Sequence, residues 1–164
     1  MQKAESLQGK WRNVGFSLTA LLIVVADQLS KIWIRSYPEE RAIFEAGFFR
    51  IFHTHNTGAA FGLFQGHSFA LTIVALVGIA VILLYALFIY RRFPILDNRL
   101  GRLALGLILG GAVGNLIDRL HLGYVTDFID FGVWPAFNIA DSAVTVGVII
   151  IAYSLLPLAR TEKH

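Results

Sequence analysis

Residues 69–90 read FALTIVALVGIAVILLYALFIY, an apolar stretch without one charged side chain. As an α-helix it spans roughly 33 Å, enough to cross about 30 Å of hydrocarbon. Three further runs have comparable length. The first, about 14–34, is interrupted only by Asp27, Gln28 and Lys31; the third, about 100–117, carries Arg102 near its start and Asn115 near its end. The fourth, about 137–158, opens with Asn138 and Asp141. The whole chain of 164 residues is 56% hydrophobic and only 15% charged. A soluble domain this small exposes most of its residues and needs more surface charge. The expectation is an all-α membrane protein, one domain over 1–164 with four transmembrane helices. A removable signal peptide fits the first run poorly: Asp27 and Lys31 disturb the apolar core, and no small-residue cleavage site follows.

Lys and Arg set the orientation. Lys3, Lys10, Arg12, Arg91, Arg92, Arg99, Arg102, Arg160 and Lys163 fall on one side of the four spans. Arg35, Arg41, Arg50 and Arg119 fall on the other, and Lys31 lies inside the first span. The positive-inside bias puts both termini in the cytoplasm and segments 35–68 and 118–136 outside. A net charge of +3 is too small to suggest a nucleic-acid partner.

The outer segment after the first run is not a plain linker. Phe48-Phe49-Arg50-Ile51-Phe52-His53-Thr54-His55 is aromatic and β-branched, Asn56-Thr57-Gly58 offers a turn, and Ala59-Ala60-Phe61-Gly62-Leu63-Phe64 resumes the apolar run. This reads as a strand-turn-strand platform over about 42–64, with phenylalanines in the outer membrane interface. The later outer segment, 119–136, reads as a loop whose Gly123 and Gly132 suit a lid over a site. Gly106, Gly110 and Gly114 recur every four residues, and Ala143 and Gly147 form a similar notch. Small residues at that spacing let helices approach closely in lipid, so the third and fourth helices are expected to touch.

Ionisable groups inside a membrane cost several kcal/mol, and each is a candidate for function. Here they converge on one level near the outer interface: Asp27, Gln28 and Lys31; Asn115, Asp118 and Arg119; Asp127 and Asp130; Asn138 and Asp141. Asp27 and Lys31 are four apart and can pair on one helix face. Asp118 can pair with Lys31 or Arg119, and Asn138 or Asp141 can cap the fourth helix. Holding four helices together does not require so many carboxylates on one side.

The chemistry open to this set is narrow. Cysteine is absent, and no serine lies in a nucleophile-elbow pattern. Ser30 and Ser142 lie at the right level, but no local signature supports pairing Ser142 with Lys31. His53 and His55 can share a strand face, yet two histidines without a third ligand make a weak metal site. A pair of aspartates remains, one ionised to activate water and one protonated to polarise a carbonyl. Asp141, held at a helix start, is the natural first member; Asp118, Asp127 and Asp130 stay open as its partner. A transporter, a metal-dependent hydrolase and a non-catalytic scaffold are the competing readings. The transporter predicts polar residues throughout the depth of the bundle, whereas the second run has no charge.

Five segments resemble the lipoprotein signal peptidase (signal peptidase II) family, in order along nearly the whole chain. They are Asp27-Gln28-Leu29-Ser30-Lys31, Asn56-Thr57-Gly58-Ala59-Ala60-Phe61, Gly110-Gly111-Ala112-Val113-Gly114-Asn115-Leu116-Ile117-Asp118-Arg119, Val125-Thr126-Asp127-Phe128 and Phe137-Asn138-Ile139-Ala140-Asp141. The resemblance implies a bacterial inner-membrane aspartic endopeptidase with Asp127 and Asp141 as its catalytic pair. It also implies that Asn56, Gly58, Asn115, Arg119, Asn138 and Ala140 line the site, supported by Asp27, Lys31 and Asp118. The implied substrate is a prolipoprotein whose cysteine carries diacylglyceryl, cut on the amino side of that cysteine. Neither metal nor other cofactor is implied; membrane lipids are the expected surroundings, and a monomer is expected to suffice.

Overall fold

The computed structural model describes residues 2–58, 66–92 and 94–161. Four long helices occupy the four apolar runs: α1 Gln2–Arg35, α2 Ser68–Leu87, α3 Arg99–Leu122 and α4 Ile139–Thr161. Each contains a segment long and apolar enough to cross a membrane: Asn13–Arg35, Ser68–Leu87, Arg99–Leu122 and Ile139–Leu156. Leu21, Leu22, Val74, Val77, Val81 and Ile149 are all more than half exposed in the isolated chain, as side chains facing lipid must be.

Helix α3 is the axis of the bundle, packing most extensively against α4 and α1 and less against α2. Its glycines make this possible. A β-carbon on Gly106 would lie 2.8 Å from the Phe16 carbonyl oxygen, and one on Gly110 2.7 Å from that of Ala20. A β-carbon on Gly114 would come within 2.6 Å of the Asp27 carboxylate. The 106/110/114 stripe therefore seats α1. Contact with α4, which the sequence led us to expect on that stripe, is made instead through Gly111 against Ala140 and Val144, and through Gly147 against Ala104 and Ile108. Because residues 110 and 111 stand about 100° apart on a helix, one glycine-rich turn serves two neighbours.

The helix ends depart from the expected bounds for identifiable reasons. Helix α2 stops at Leu87, and 3-10 turns at Ile89–Arg91 and Pro94–Leu96 follow. Buried Arg102 donates from Nη1 to the Ala86 carbonyl at 2.9 Å, and a continuing helix would need that oxygen for Tyr90. The same guanidinium pairs with Asp97 at 3.0 Å, so it fastens the α2–α3 connection. At its other end α3 runs on to Leu122, where Gly123 closes it in the left-handed region at φ 81° and donates its N–H to the Arg119 carbonyl.

A three-stranded antiparallel sheet lies beyond the helices in the order β1 Ala42–Ala46, β2 Phe49–Asn56, β3 Val125–Asp130. The platform is thus present, but it is built differently. The hairpin turns at Gly47, not at Asn56-Thr57-Gly58, and the expected second strand at 59–64 lies outside the described residues. The third strand comes from 119–136, read from sequence as a loop and possible lid. Its three polar side chains hide an alternation that only pairing with β2 reveals: Thr54 opposite Asp127, His55 opposite Thr126, Asn56 opposite Val125. Phe137 then bonds back to Phe128 and Ile129, cinching residues 131–136 and delivering the chain to α4.

The tight α1–α3 seam predicts an outcome. Gly110→Val forces the backbones apart and should destabilise the protein by about 1–3 kcal/mol, as overpacking does. Gly78→Val, on α2 with nothing within 4 Å, should leave stability unchanged. Thermal unfolding of both variants in detergent checks the contrast.

Candidate active site

Most of the buried polar side chains collect at the sheet end of the bundle: Asp27, Lys31, Asn115, Asp118, Thr126, Asp127 and Asn138. Lys31 has no exposed surface and sits 2.8 Å from Asp27 and 3.3 Å from Asp118. It also donates to Asn115 Oδ1 at 2.8 Å. Asp27 and Lys31 pair one turn apart, as their spacing requires, and Asp27 Oδ1 accepts the backbone N–H of Ala140 at 3.0 Å. A carboxylate from α1 thereby fixes the first turn of α4. Asp118 finds Lys31 and Arg35 rather than Arg119: Arg35 Nη1 lies 3.2 Å from its Oδ1. Arg119 donates instead to the Gly58 carbonyl at 3.3 Å.

Two carboxylates are joined to this cluster through asparagines. Asp127 accepts from Asn56 Nδ2 at 2.9 Å and from Asn138 Nδ2 at 2.7 Å, one on each oxygen. Asp141 accepts from Asn115 Nδ2 at 2.7 Å. Asn138 also caps α4: its Oδ1 takes the Asp141 N–H at 2.9 Å, while the Asp141 carboxylate accepts the Asn138 N–H at 3.4 Å. This reciprocal pair is a capping box, so Asp141 gains its position from the start of the helix itself. The capping role considered from the sequence is thus filled, with Asn138 as the cap and Asp141 as its reciprocal partner.

Burial and the neighbouring charge of Asp141 push the Asp127 carboxyl up to about 7, against the lowering effect of Asn56, Asn138 and Lys31. Asp130, the remaining carboxylate of the outer loop, is committed elsewhere. It pairs with Arg50 and accepts the Gly132 N–H at 2.8 Å, which holds its carboxyl below the usual range.

A cavity of about 390 Å³ opens beside Asp141 and Asn56, the asparagine that holds Asp127. Asn56, Gly58, Asn115, Arg119 and Asp141 give it a polar end, and Ala75, Ala112 and Val144 give it an apolar wall between α2, α3 and α4. Trp134 and Pro135 form its rim. His53 and His55 lie on the other face of β2. His53 Nδ1 meets the Tyr37 carbonyl at 3.0 Å, and His55 lies against Glu39 and the Tyr124 ring. Among the described residues, no three His, Asp or Glu side chains are grouped to hold a metal ion.

Comparison with known proteins adds to this geometry. The profile of the signal peptidase (SPase) II family matches residues 19–157. The chain belongs to that family. It is 51% identical to the lipoprotein signal peptidase of Dehalococcoides mccartyi over 154 residues, 93% of each chain. It is 48% identical to that of Moorella thermoacetica over 143 residues, covering 86% of this chain and 92% of the relative. A bacterial membrane enzyme solved by the in meso method at 2.3 Å superposes with a TM-score of 0.75 at 31% identity, covering 85% of this chain and 86% of the other.

This signal peptidase II family member is accordingly a multi-pass bacterial membrane protein and a peptidase. Every site residue expected from its sequence lies in or against the polar cluster. Arg35 and Thr126 were missed. Arg35 appeared in the sequence only as an outer charge, although it lies one turn beyond Lys31 on the same face. Thr126 lay inside the Val125–Phe128 segment but, being uncharged in a stretch read as loop, was given no role of its own.

Asn138 bonds to both carboxylates, so Asn138→Ala should have two effects. Loss of the cap should cost about 1 kcal/mol in stability. Loss of its hydrogen bond to Asp127 should raise that carboxyl further above 7, because a donor that favours the charged form is gone. Carbon-13 NMR titration of the Asp carboxyls reads the second effect, and an unchanged titration midpoint contradicts it.

Proposed function

We propose that the chain is an aspartic endopeptidase that removes signal peptides from diacylglyceryl-modified prolipoproteins, cutting on the amino side of the lipidated cysteine. The observation that carries this reading is the pairing of Asp127 and Asp141 across Asn138, beside a cavity with one polar end and one apolar wall. A diacylglyceryl chain must stay in the leaflet while the scissile peptide meets water, and such a cavity suits both demands. The Lys and Arg distribution supports cytoplasmic termini, with the pair at the extracytoplasmic face.

In the proposed reaction Asp127 holds the proton shared by the pair, because its carboxyl is pushed up to about 7. Asp141 is the base: it takes a proton from water as the hydroxide adds to the carbonyl carbon. Asp127 gives its proton to the carbonyl oxygen, where negative charge would otherwise build. Collapse of the resulting diol breaks the C–N bond: the proton on Asp141 passes to the leaving nitrogen, and one hydroxyl returns its proton to Asp127 as the new carboxyl group forms. Arg119 is placed to meet substrate, as a partly exposed side chain on the cavity wall whose buried Nε has no hydrogen-bond partner among the described residues. The competing readings lack comparable support. A transporter requires polar groups along the bundle, and α2 buries only Thr72 and Ala86. A metal hydrolase built on His53 and His55 would place its chemistry on the face of β2 turned away from Asp127.

The purified protein should cleave a diacylglyceryl-modified prolipoprotein with or without chelator. Asp127→Asn and Asp141→Asn should each fold and lose activity by at least a thousandfold, on the order of the loss of a general acid–base group. Full activity in either variant would overturn the dyad. The pH profile tests the assignment of the proton. If Asp127 must be protonated, kcat/KM falls tenfold per pH unit above about 7; a rate that rises through 7 makes Asp127 the base instead.

The platform makes a separate prediction. Phe48 is 74% exposed, with one edge near Phe131, whereas Phe49 packs on both Phe44 and Phe131, and Phe52 lies under Arg50. Phe48→Ser should raise KM for the membrane-held substrate several-fold and leave kcat unchanged. A collapsed kcat at constant KM would show that the platform serves the chemistry, not capture.

A further inference from the structure

We infer that Arg35 is a positioning residue for Asp127 and supplies the charge that balances the buried cluster behind it. The inference rests on the dyad reading above.

Asp27, Lys31 and Asp118 by themselves carry one excess negative charge, in a place where an unbalanced charge is costly. Arg35, in the last turn of α1, adds the second cation. Its side chain is 23% exposed, so it joins the cluster from the solvent edge. The guanidinium does more than neutralise. One nitrogen, Nη1, reaches Asp118 Oδ1 at 3.2 Å and Thr126 Oγ1 at 3.1 Å. Asp118 holds the backbone N–H of the same Thr126 through its other oxygen at 2.9 Å. Thr126, fully buried, is therefore gripped by backbone and side chain at once. Its C-terminal neighbour is Asp127. Among the described residues, strand β3 pairs in the sheet with β2, and its other edge meets a short bridge at Phe137. Asn138 ties this edge strand to α4 through Asp127 and the Thr126 carbonyl, and the Arg35–Asp118–Thr126 clamp ties it to α1 and α3 at the same level.

The charges that act on Asp127 are those of Asp141 from α4, Lys31 from α1 and Arg119 from α3, while Arg35 stands one layer behind them, on Asp118 and the Thr126 hydroxyl. From β2 Asp127 faces uncharged Asn56, since His53 and His55 alternate onto the opposite side. Removing Arg35 leaves the Asp27–Lys31–Asp118 cluster one charge more negative, which offsets the lowering effect of Lys31 and makes Asp127 harder to ionise. With Asp127 as the proton donor, the alkaline limb of the rate profile then moves up. A guanidinium that served packing alone would not move it.

The test is the pH profile of kcat/KM for cleavage of a diacylglyceryl-modified prolipoprotein by the full chain in detergent. Arg35→Gln should shift the alkaline limb upward by roughly half to one pH unit, the scale of a partly screened charge at this range. Arg35→Lys keeps the charge and should leave the limb at the wild-type position. Thr126→Val keeps every charge and loses the hydroxyl, so kcat should fall several-fold with the limb unmoved. The double variant R35Q/D118N removes one charge of each sign and should bring the limb back. If R35Q does not fold, Asp118→Asn carries the test with opposite sign: its limb should move down, and adding R35Q should return it. An unmoved limb in folded R35Q, or in folded D118N, overturns the charge-balancing role. A fall in kcat equal in R35K and R35Q, with neither limb displaced, reduces Arg35 to packing. Activity retained by Asp127→Asn in the same assay would instead sink the dyad reading, whatever Arg35 does.

Discussion

Lys31 has no contact with solvent, and its ammonium lies between two buried carboxylates, Asp27 at 2.8 Å and Asp118 at 3.3 Å. The architecture of this protein follows from the need to keep that cluster satisfied. A buried ion pair is costly unless geometry and further hydrogen bonds complete it. Each member is therefore bound to a different part of the fold. Asp27 holds the N–H of Ala140 on α4, Asp118 holds the N–H of Thr126 on β3, and Lys31 holds the side chain of Asn115 on α3. The cluster is a joint at which α1 meets the other elements that carry the site.

The joint forms only because the backbones can come close. A side chain at Gly114 would strike the Asp27 carboxylate, and side chains at Gly106 and Gly110 would strike α1 itself. Lipid supplies little force to drive apolar helices together, so close packing and polar contacts must do it. The glycine stripe and the charged cluster are successive parts of one seam. Packing dominates through the middle of the bundle and hydrogen bonding at the end that carries the sheet.

Asparagine is the second recurring device. Asn56, Asn115 and Asn138 place five amide hydrogen bonds on Asp127, Asp141 and one another. An amide both donates and accepts without changing charge, so it can fix a carboxylate without neutralising it. The asparagines lower the Asp127 carboxyl only in part, so burial and the Asp141 charge still move it into the neutral range. Lys31 and Arg35 are kept one layer away, on Asp27 and Asp118.

The sequence by itself determined the solvent and the elements that cross it. A charge-free run such as 69–90 has no stable place but lipid, and the spacing of Asp27 and Lys31 requires their pairing. The family motifs pointed to Asp127 and Asp141 as well. What only the tertiary structure decided is how those residues meet. The strand that carries Asp127 looked like loop, because its alternation is spoiled by polar side chains that are buried only once β2 and α3 cover them. The glycine stripe was legible as a contact surface, but its partner was not: period four gives a face and says nothing of which helix fills it. Arg35 looked like an outer charge for the same reason. Local pattern reports which way a side chain points along its own element, whereas the identity of its partner depends on chain tens of residues away, and pairing at that distance is set by how the whole bundle closes.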